Sequence, residues 1–296
     1  MQAGQTCCGF ASIIGLPNAG KSTLMNALVG AKVSIVSKRA QTTRTRVLGI
    51  AMHENAQIIL LDTPGIFAAR KSFEQFMVGA AFEALDEAEL TIHLVDAGQK
   101  GALAQNQMII DKLRADSKPC LLVLNKTDKI QKPDLLALAA AFNAAYPYEA
   151  TFMISALKQA GTQDLLSDLA RRMKPGPFLY EEDQITDMPL RLMAAEITRE
   201  KIFEQLYREL PHAALVETES WETFDNGDIK ISQAVIVQRD SQKAIVLGKG
   251  GSRIKQIGAA SRLELEKLLE TRVHLKLFVK VEPNWMERPD LLRLQE

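Results

Sequence analysis

Gly15-Leu16-Pro17-Asn18-Ala19-Gly20-Lys21-Ser22 reads G-x-x-x-x-G-K-S, the pattern of a phosphate-binding loop. The apolar run Gly9 to Ile14 before it reads as a strand. Thr23 to Val29 after it reads as a helix with Leu24, Leu28 and Val29 on one face. Glycines let such a loop turn tightly enough to aim successive N–H groups at phosphate oxygens, and the helix N-terminus adds favourable partial charge. Lys21 is then placed to reach β- and γ-phosphates, and the Ser22 hydroxyl to take a position on Mg²⁺. Strand, loop and helix in this order predict an α/β nucleotide-binding domain, with Gly15 through Thr23 as its phosphate contacts.

The segment from Ala31 to Arg46 is polar and basic, and it contains Gln41-Thr42-Thr43-Arg44. In a phosphate-loop nucleotidase a threonine from this region completes the Mg²⁺ shell and senses the γ-phosphate; Thr43 is preferred over Thr42. Val47 to Met52 and Gln57 to Leu61 read as two strands, and the second ends in Asp62-Thr63-Pro64-Gly65. A carboxylate at that strand end can orient Mg²⁺, and Gly65 lets a backbone N–H approach the γ-phosphate. Ile66 stands where Ras-like switches place a water-orienting Gln, and its side chain cannot hydrogen-bond. Ser72 with Gln75 reads as a capping box opening a helix whose Phe73, Phe76, Met77, Ala80, Ala81 and Ala84 face the core.

The base is decided further along. Strands at Leu90 to Asp96 and Cys120 to Leu124 bracket a helix over 102–114, and a second helix is predicted over 134–145. The second of these strands ends in Asn125-Lys126-Thr127-Asp128, the pattern N-K-x-D. A carboxylate at Asp128 can accept both N1–H and the exocyclic amine of guanine. Adenine lacks both donors, so it would leave Asp128 desolvated and unpaired. Asn125 would tie the base site to the phosphate loop, and the Lys126 stem would cover the ring. After the strand Phe152 to Ile154, Ser155-Ala156-Leu157 offers a backbone N–H to guanine O6. Strands alternating with helices imply βαβ units, a mostly parallel sheet and ligand loops at the strands' carboxyl ends.

A helix over 162–173 closes this domain, expected to span 1–173, and Lys174 to Pro177 opens a linker reaching residue 185. From residue 186 the order changes to a helix over 190–210 and two strands around the hairpin turn Asp225-Asn226-Gly227. A short helix then leads into Gly248-Lys249-Gly250-Gly251, followed by a helix over 252–270 and a strand over 273–281. The order α-β-β-α-α-β with G-x-x-G between the last two helices is that of a type II KH domain, expected over 186–282. A plain helix–helix turn is the alternative, and charge separates the two. Arg239 to Lys280 carries ten Lys/Arg against four Asp/Glu, whereas 186–296 as a whole has seventeen against eighteen. That concentration predicts an RNA-facing surface at Ile245, Gly248, Lys249, Gly250, Gly251, Arg253, Ile254 and Lys255.

Total charge points to no partner, with 36 basic and 36 acidic residues. Three cysteines (Cys7, Cys8, Cys120) match neither a disulfide framework nor a metal-ligand spacing, and they suggest a reducing compartment. Four scattered histidines (His53, His93, His212, His274) read as structural. No uncharged run approaches ~18 residues, and the N-terminus lacks the basic flank of a secretory signal, so a cytoplasmic protein is expected.

Taken together, the five nucleotide motifs and the KH order resemble the Era family of bacterial GTPases over nearly the whole chain. The residues that carry the likeness are Asn18, Ser37 to Arg44, Asp62 to Ile66 and Ser241 to Gly251. Leu16 departs from the family, where an Arg is usual, and is expected to face solvent; Pro283 to Glu296 matches nothing in it. The resemblance implies a GTPase that binds the 3′ end of 16S ribosomal RNA in its GTP state, acts in 30S subunit assembly, then hydrolyses GTP and leaves. Peripheral contact with the inner membrane also goes with such proteins, although this sequence shows no anchor. Relatives that recruit K⁺ imply that Asn18 joins Lys21, Thr43 and Gly65 in a catalytic role: holding a monovalent cation with backbone carbonyls near Ser34 to Arg39. The other reading is that Asn18 only shapes the loop. Two further classes stand against the resemblance. One is an ATP-using phosphotransferase, which Asp128 opposes; the other is a scaffold whose KH domain contacts protein or membrane rather than RNA.

Overall fold

The computed structural model describes residues 5–36, 47–66, 78–79, 81, 88–116, 118–206, 214–283 and 285. The chain divides into two units between Asp187 and Met188. In the first, β1 (Cys7–Ile14), β2 (Val47–His53), β3 (Ala56–Asp62), β4 (Leu90–Asp96), β5 (Cys120–Asn125) and β6 (Ala150–Met153) form a sheet in the order β2-β3-β1-β4-β5-β6. All pairs are parallel except the hairpin β2–β3. Every residue of β3 and of β5 is buried, as expected of strands covered on both faces. Because the strands run together, the loops after β1, β3, β4, β5 and β6 all leave at one edge of the sheet. That edge is where the motifs meet.

α1 (Lys21–Val29) buries Leu24, Met25 and Leu28, with Val29 only half-buried, so Met25 takes the place expected of Val29. The single helix expected over 102–114 is two: α2 (Ala102–Gln105) and α3 (Gln107–Asp116). The break falls at buried Asn106, whose amide donates to the Ala102 carbonyl at 2.8 Å while its oxygen meets His93 Nε2 at 3.0 Å. α4 (Lys132–Ala145) starts with Pro133 in its first turn, where a missing N–H costs nothing. α5 (Thr162–Arg172) buries Leu165, Leu166 and Leu169. Of the helix expected after Ser72, Ala81 is described and fully buried; Ser72, Phe73, Gln75, Phe76, Met77, Ala80 and Ala84 lie outside the described residues.

The expected linker is strapped to the first unit. β4 pairs with β1 only over Ala11 to Ile14, which leaves Cys7 and Cys8 to pair antiparallel with β7 (Lys174–Pro175). Further on, fully buried Gln57 accepts the Leu179 and Tyr180 N–H groups at 2.8 and 3.1 Å and donates to the Tyr180 carbonyl at 2.8 Å. The Ile50 N–H reaches the Ile185 carbonyl, and the Thr186 hydroxyl the Leu48 carbonyl.

In the second unit, α6 (Leu190–Gln205) precedes β8 (Leu215–Thr223) and β9 (Ile229–Val237). α7 (Asp240–Leu247), α8 (Ser252–Leu269) and β10 (Val273–Val281) follow. Residues 207–213, including Leu210 and His212, lie outside the described residues. The sheet order is β10-β9-β8, with β8–β9 antiparallel and β10–β9 parallel. Gly227 at φ 86° makes the hairpin turn, as Asp225-Asn226-Gly227 requires. Helices pack on one sheet face through Ala195, Ile202, Val235, Val246, Ile257 and Val279. On the other face, Trp285 is fully buried against Leu215, Ala234 and Ile236, which gives the start of the unmatched tail a packing role.

Candidate nucleotide and RNA sites

The phosphate loop holds a shape that only small residues permit. Gly20 sits at φ 103°, and a Cβ there would lie 2.4 Å from Asn125 Nδ2; at Gly15 it would lie 2.3 Å from the Leu94 carbonyl oxygen. Lys21 is buried, and its ammonium donates to the Gly15 and Leu16 carbonyls at 3.1 Å each. Burial pushes the Lys21 pKa down to about 8, with the charge of Asp62 pulling the other way. Leu16 is half-buried against the core around Ile14 and Val95, contrary to the expectation that it faces solvent. An aliphatic side chain at that position finds apolar surface to cover.

Asp62 is fully buried at the end of β3, and its Oδ2 accepts the Ser22 hydroxyl at 2.6 Å and the Ser34 hydroxyl at 3.0 Å. Ser34 is in turn fixed by Asn26 of α1, whose amide donates to the Ser34 carbonyl at 2.7 Å and whose oxygen accepts the Val33 and Ser34 N–H groups at 2.9 Å each. Asn26, inside α1, carries no sequence signal as a site residue beyond its poor helix propensity, and Ser34 entered the sequence reading only as one end of the carbonyl stretch expected near a cation. The oxygen set of Ser22 and Asp62 suits Mg²⁺, a hard cation. Thr43 and Thr42 lie outside the described residues. Thr63 turns its hydroxyl to the Ile13 carbonyl at 2.8 Å. Gly65 packs so closely on Pro17 that a Cβ would lie 2.8 Å from its ring nitrogen, and the Ile66 N–H donates to the Gly15 carbonyl at 3.1 Å. The Ile66 side chain is fully buried in the core, so nothing of it faces the phosphate side.

The base-side motif joins the phosphate loop directly. Asn125 Nδ2 donates to the Ala19 carbonyl at 2.8 Å, while its oxygen accepts the Lys126 and Ala156 N–H groups at 2.8 and 3.0 Å. Lys126 Nζ donates to the Asn18 carbonyl and pairs with Asp96, both at 2.6 Å. Asp128 is open to solvent and accepts the Ser155 hydroxyl at 2.6 Å, which holds its carboxyl below the usual range. Ala156 is buried, and Leu157 is 78% exposed. Asn18 is exposed with φ 64°, a left-handed conformation that Asn tolerates, and no hydrogen bond of its side chain occurs among the described residues. His93, meeting Tyr148 at 2.7 Å as well as Asn106, is a buried structural histidine whose pKa burial lowers to about 4.

In the second unit, Gly248, Gly250 and Gly251 all adopt positive φ (70°, 59° and 75°), so the G-x-x-G turn depends on its glycines. Lys249, Gly250 and Lys255 are exposed, as is Ile245 at 45%, while Ile254 packs against the core. Arg253 donates to the Ile245 carbonyl at 3.1 Å and ties the two helices flanking the turn.

A phosphate loop and an N-K-x-D loop meeting at one sheet edge, in a chain with a second unit that carries a G-x-x-G turn, define the class: a GTPase carrying a KH domain. Residues 10–126 match a family profile described as 50S ribosome-binding GTPase, and residues 209–286 one described as KH domain. The chain is 51% identical to GTPase Era of Sinorhizobium medicae over 97% of this chain and 93% of that one. With GTPase Era of Bradyrhizobium diazoefficiens it shares 50% over the same proportions. Among solved structures, Aquifex aeolicus Era bound to GDP·AlF4⁻ superposes with TM-score 0.92 at 39% identity, covering 98% of both chains. Era in complex with MgGDPNP and nucleotides 1506–1542 of 16S ribosomal RNA superposes with TM-score 0.90 at 40% identity, again covering 98% of both. The chain belongs to the Era family and is a GTPase.

Proposed function

We propose that this protein binds GTP with Mg²⁺, hydrolyses it to GDP and phosphate, and binds 16S ribosomal RNA near its 3′ end in assembly of the 30S subunit, in the cytoplasm. One observation carries the nucleotide reading: Asn125 bridges from the N-K-x-D loop to the Ala19 carbonyl, so base and phosphate contacts share one rigid frame. Backbone N–H groups from Gly20 to Thr23 would face the phosphates, the Ala19 N–H being bonded to the Leu16 carbonyl at 3.2 Å, with Lys21 supplying charge. Burial lowers the Lys21 pKa to about 8, and the negative charge of a bound phosphate would favour its ammonium form. Ser22, Asp62 and Thr43 hold Mg²⁺, which when bound neutralises phosphate charge. Gly65 brings a backbone N–H to the γ-phosphate, and buried Ile66 supplies no water-orienting group. Asp128, set by Ser155, reads the guanine edge; Lys126 covers the ring, and the segment Ser155 to Leu157 offers a backbone N–H to O6. Asn18 supports two readings, a K⁺ ligand or a loop-shaping residue, and its exposed amide fits the first.

The RNA reading rests on the relative whose structure contains nucleotides 1506–1542 of 16S ribosomal RNA and on the exposed basic turn around Lys249. Replacing Lys249 and Gly250 by Asp puts like charge against the phosphates. Affinity for a single-stranded fragment of the 16S 3′ end is expected to fall at least tenfold in a shift assay while GTP affinity holds. A folded variant that keeps its RNA affinity refutes this surface.

A further inference from the structure

We infer that Asp96 is a positioning residue for nucleotide binding: its carboxylate holds the Lys126 ammonium against the Asn18 carbonyl and so locks the base loop to the phosphate loop. The inference rests on the guanine-nucleotide reading above and deepens it. Asp96 ends β4 in register with Asn125, which ends the neighbouring β5, so the sheet itself sets the two loops side by side. The Ala97 N–H donates to the Asn125 carbonyl at 2.9 Å, continuing that alignment past the strands.

The carboxylate is aimed rather than free to swing. Its Oδ1 accepts the Gly98 N–H at 3.0 Å in a tight turn, which leaves Oδ2 directed at Lys126 Nζ, 2.6 Å away. Gly98 eases the close approach of this turn to the base loop, since a Cβ there would make a tight 3.2 Å contact with Lys129 Cβ. The pair is mostly shielded, with side-chain exposures of 23% for Lys126 and 19% for Asp96. Lys126 itself stands at φ 64°, a left-handed conformation uncommon for a Lys. Its long side chain, otherwise rich in rotamers, is thereby fixed at both ends. A ligand docking beneath the stem then meets a preordered surface rather than one it must order.

Asp96→Asn removes the charge yet keeps an oxygen able to accept the Gly98 N–H, so the turn survives. In the full-length protein, Kd for GDP and for GTP is expected to rise by the same factor, about tenfold, the factor equal to 1.4 kcal/mol. The loss appears in KM rather than kcat, because Asp96 touches no reacting atom. The nucleotide-free melting temperature falls slightly as the shielded pair is lost, and the stabilisation added by GDP shrinks as well; a merely structural role would lower the first and leave the second unchanged. In a Lys126→Met background, adding Asp96→Asn changes Kd by less than twofold, since the shared interaction is already gone. If Lys126→Met weakens GDP binding but Asp96→Asn leaves it within twofold of wild type, the inference is overturned and the nucleotide reading stands. If Lys126→Met and Asp128→Asn both leave GDP binding unaltered, the nucleotide reading fails and this inference falls with it.

Discussion

Gly20→Ala tests whether the phosphate loop is held in shape by glycine geometry and by Asn125 together. At φ 103° and ψ 26° the residue lies outside the region near +50 to +70° that other amino acids tolerate, a strain of about 1–3 kcal/mol. The new Cβ would also sit 2.4 Å from Asn125 Nδ2. Asn125 is buried and cannot yield without breaking its bond to the Ala19 carbonyl or disturbing its bonds from Lys126 and Ala156, at a cost of about 1 kcal/mol more. The nucleotide-bound state should therefore lie about 2–4 kcal/mol higher relative to the unfolded chain and free nucleotide. That cost can show in either of two measurements. If the loop keeps its conformation, the fold loses stability and affinity is preserved. If the loop relaxes, stability is preserved and GDP affinity drops. The sum of the two is the prediction. Affinity is read with a fluorescent GDP analogue and stability by denaturant unfolding followed by far-ultraviolet circular dichroism. Both tryptophans, Trp221 and Trp285, belong to the second unit, so their fluorescence provides an internal control that should not move. A summed change below about 1 kcal/mol would refute the reasoning.

Three other outcomes are expected. Asp128→Asn should exchange guanine for xanthine preference, because an amide NH₂ can donate to the xanthine O2; a variant that binds GTP undiminished and gains nothing for XTP removes Asp128 from the base site. Ser155→Ala removes the hydrogen bond that lowers the Asp128 pKa, so the carboxyl should titrate at higher pH than in the wild type. Guanine needs the ionised acceptor, and GDP affinity in that variant should begin to fall at a higher pH as the solution is acidified; coincident pH profiles would contradict this. GTP turnover should be faster in KCl than in matched NaCl and lose that difference in Asn18→Ala, whereas equal rates in both salts for the wild type leave Asn18 a loop-shaping residue.

Much of this protein could be read before its structure was known, because its main signals are local. The phosphate loop, the N-K-x-D stretch, the Asp225-Asn226-Gly227 turn and the G-x-x-G turn each combine neighbouring residues whose backbone needs are written in their own types: glycine at positive φ, apolar runs for buried strands. The order of those pieces was enough to place a mostly parallel sheet before a KH domain. What only tertiary structure decided depends on partners far apart in the chain. The helix over 102–114 breaks because Asn106 is drawn to His93 on β4, and no periodicity within the helix carries that information. The stretch after residue 173, polar and proline-rich, reads as a linker until Gln57, more than 120 residues earlier, gives its backbone a set of buried bonds. Ser34 meets Asp62 only because Asn26 pins its backbone, and Asp96 meets Lys126 only because β4 and β5 lie side by side in register. A buried polar side chain must find a hydrogen-bond partner or bear the cost of desolvation, and which partner it finds is settled by the packing of the whole sheet rather than by its neighbours in sequence.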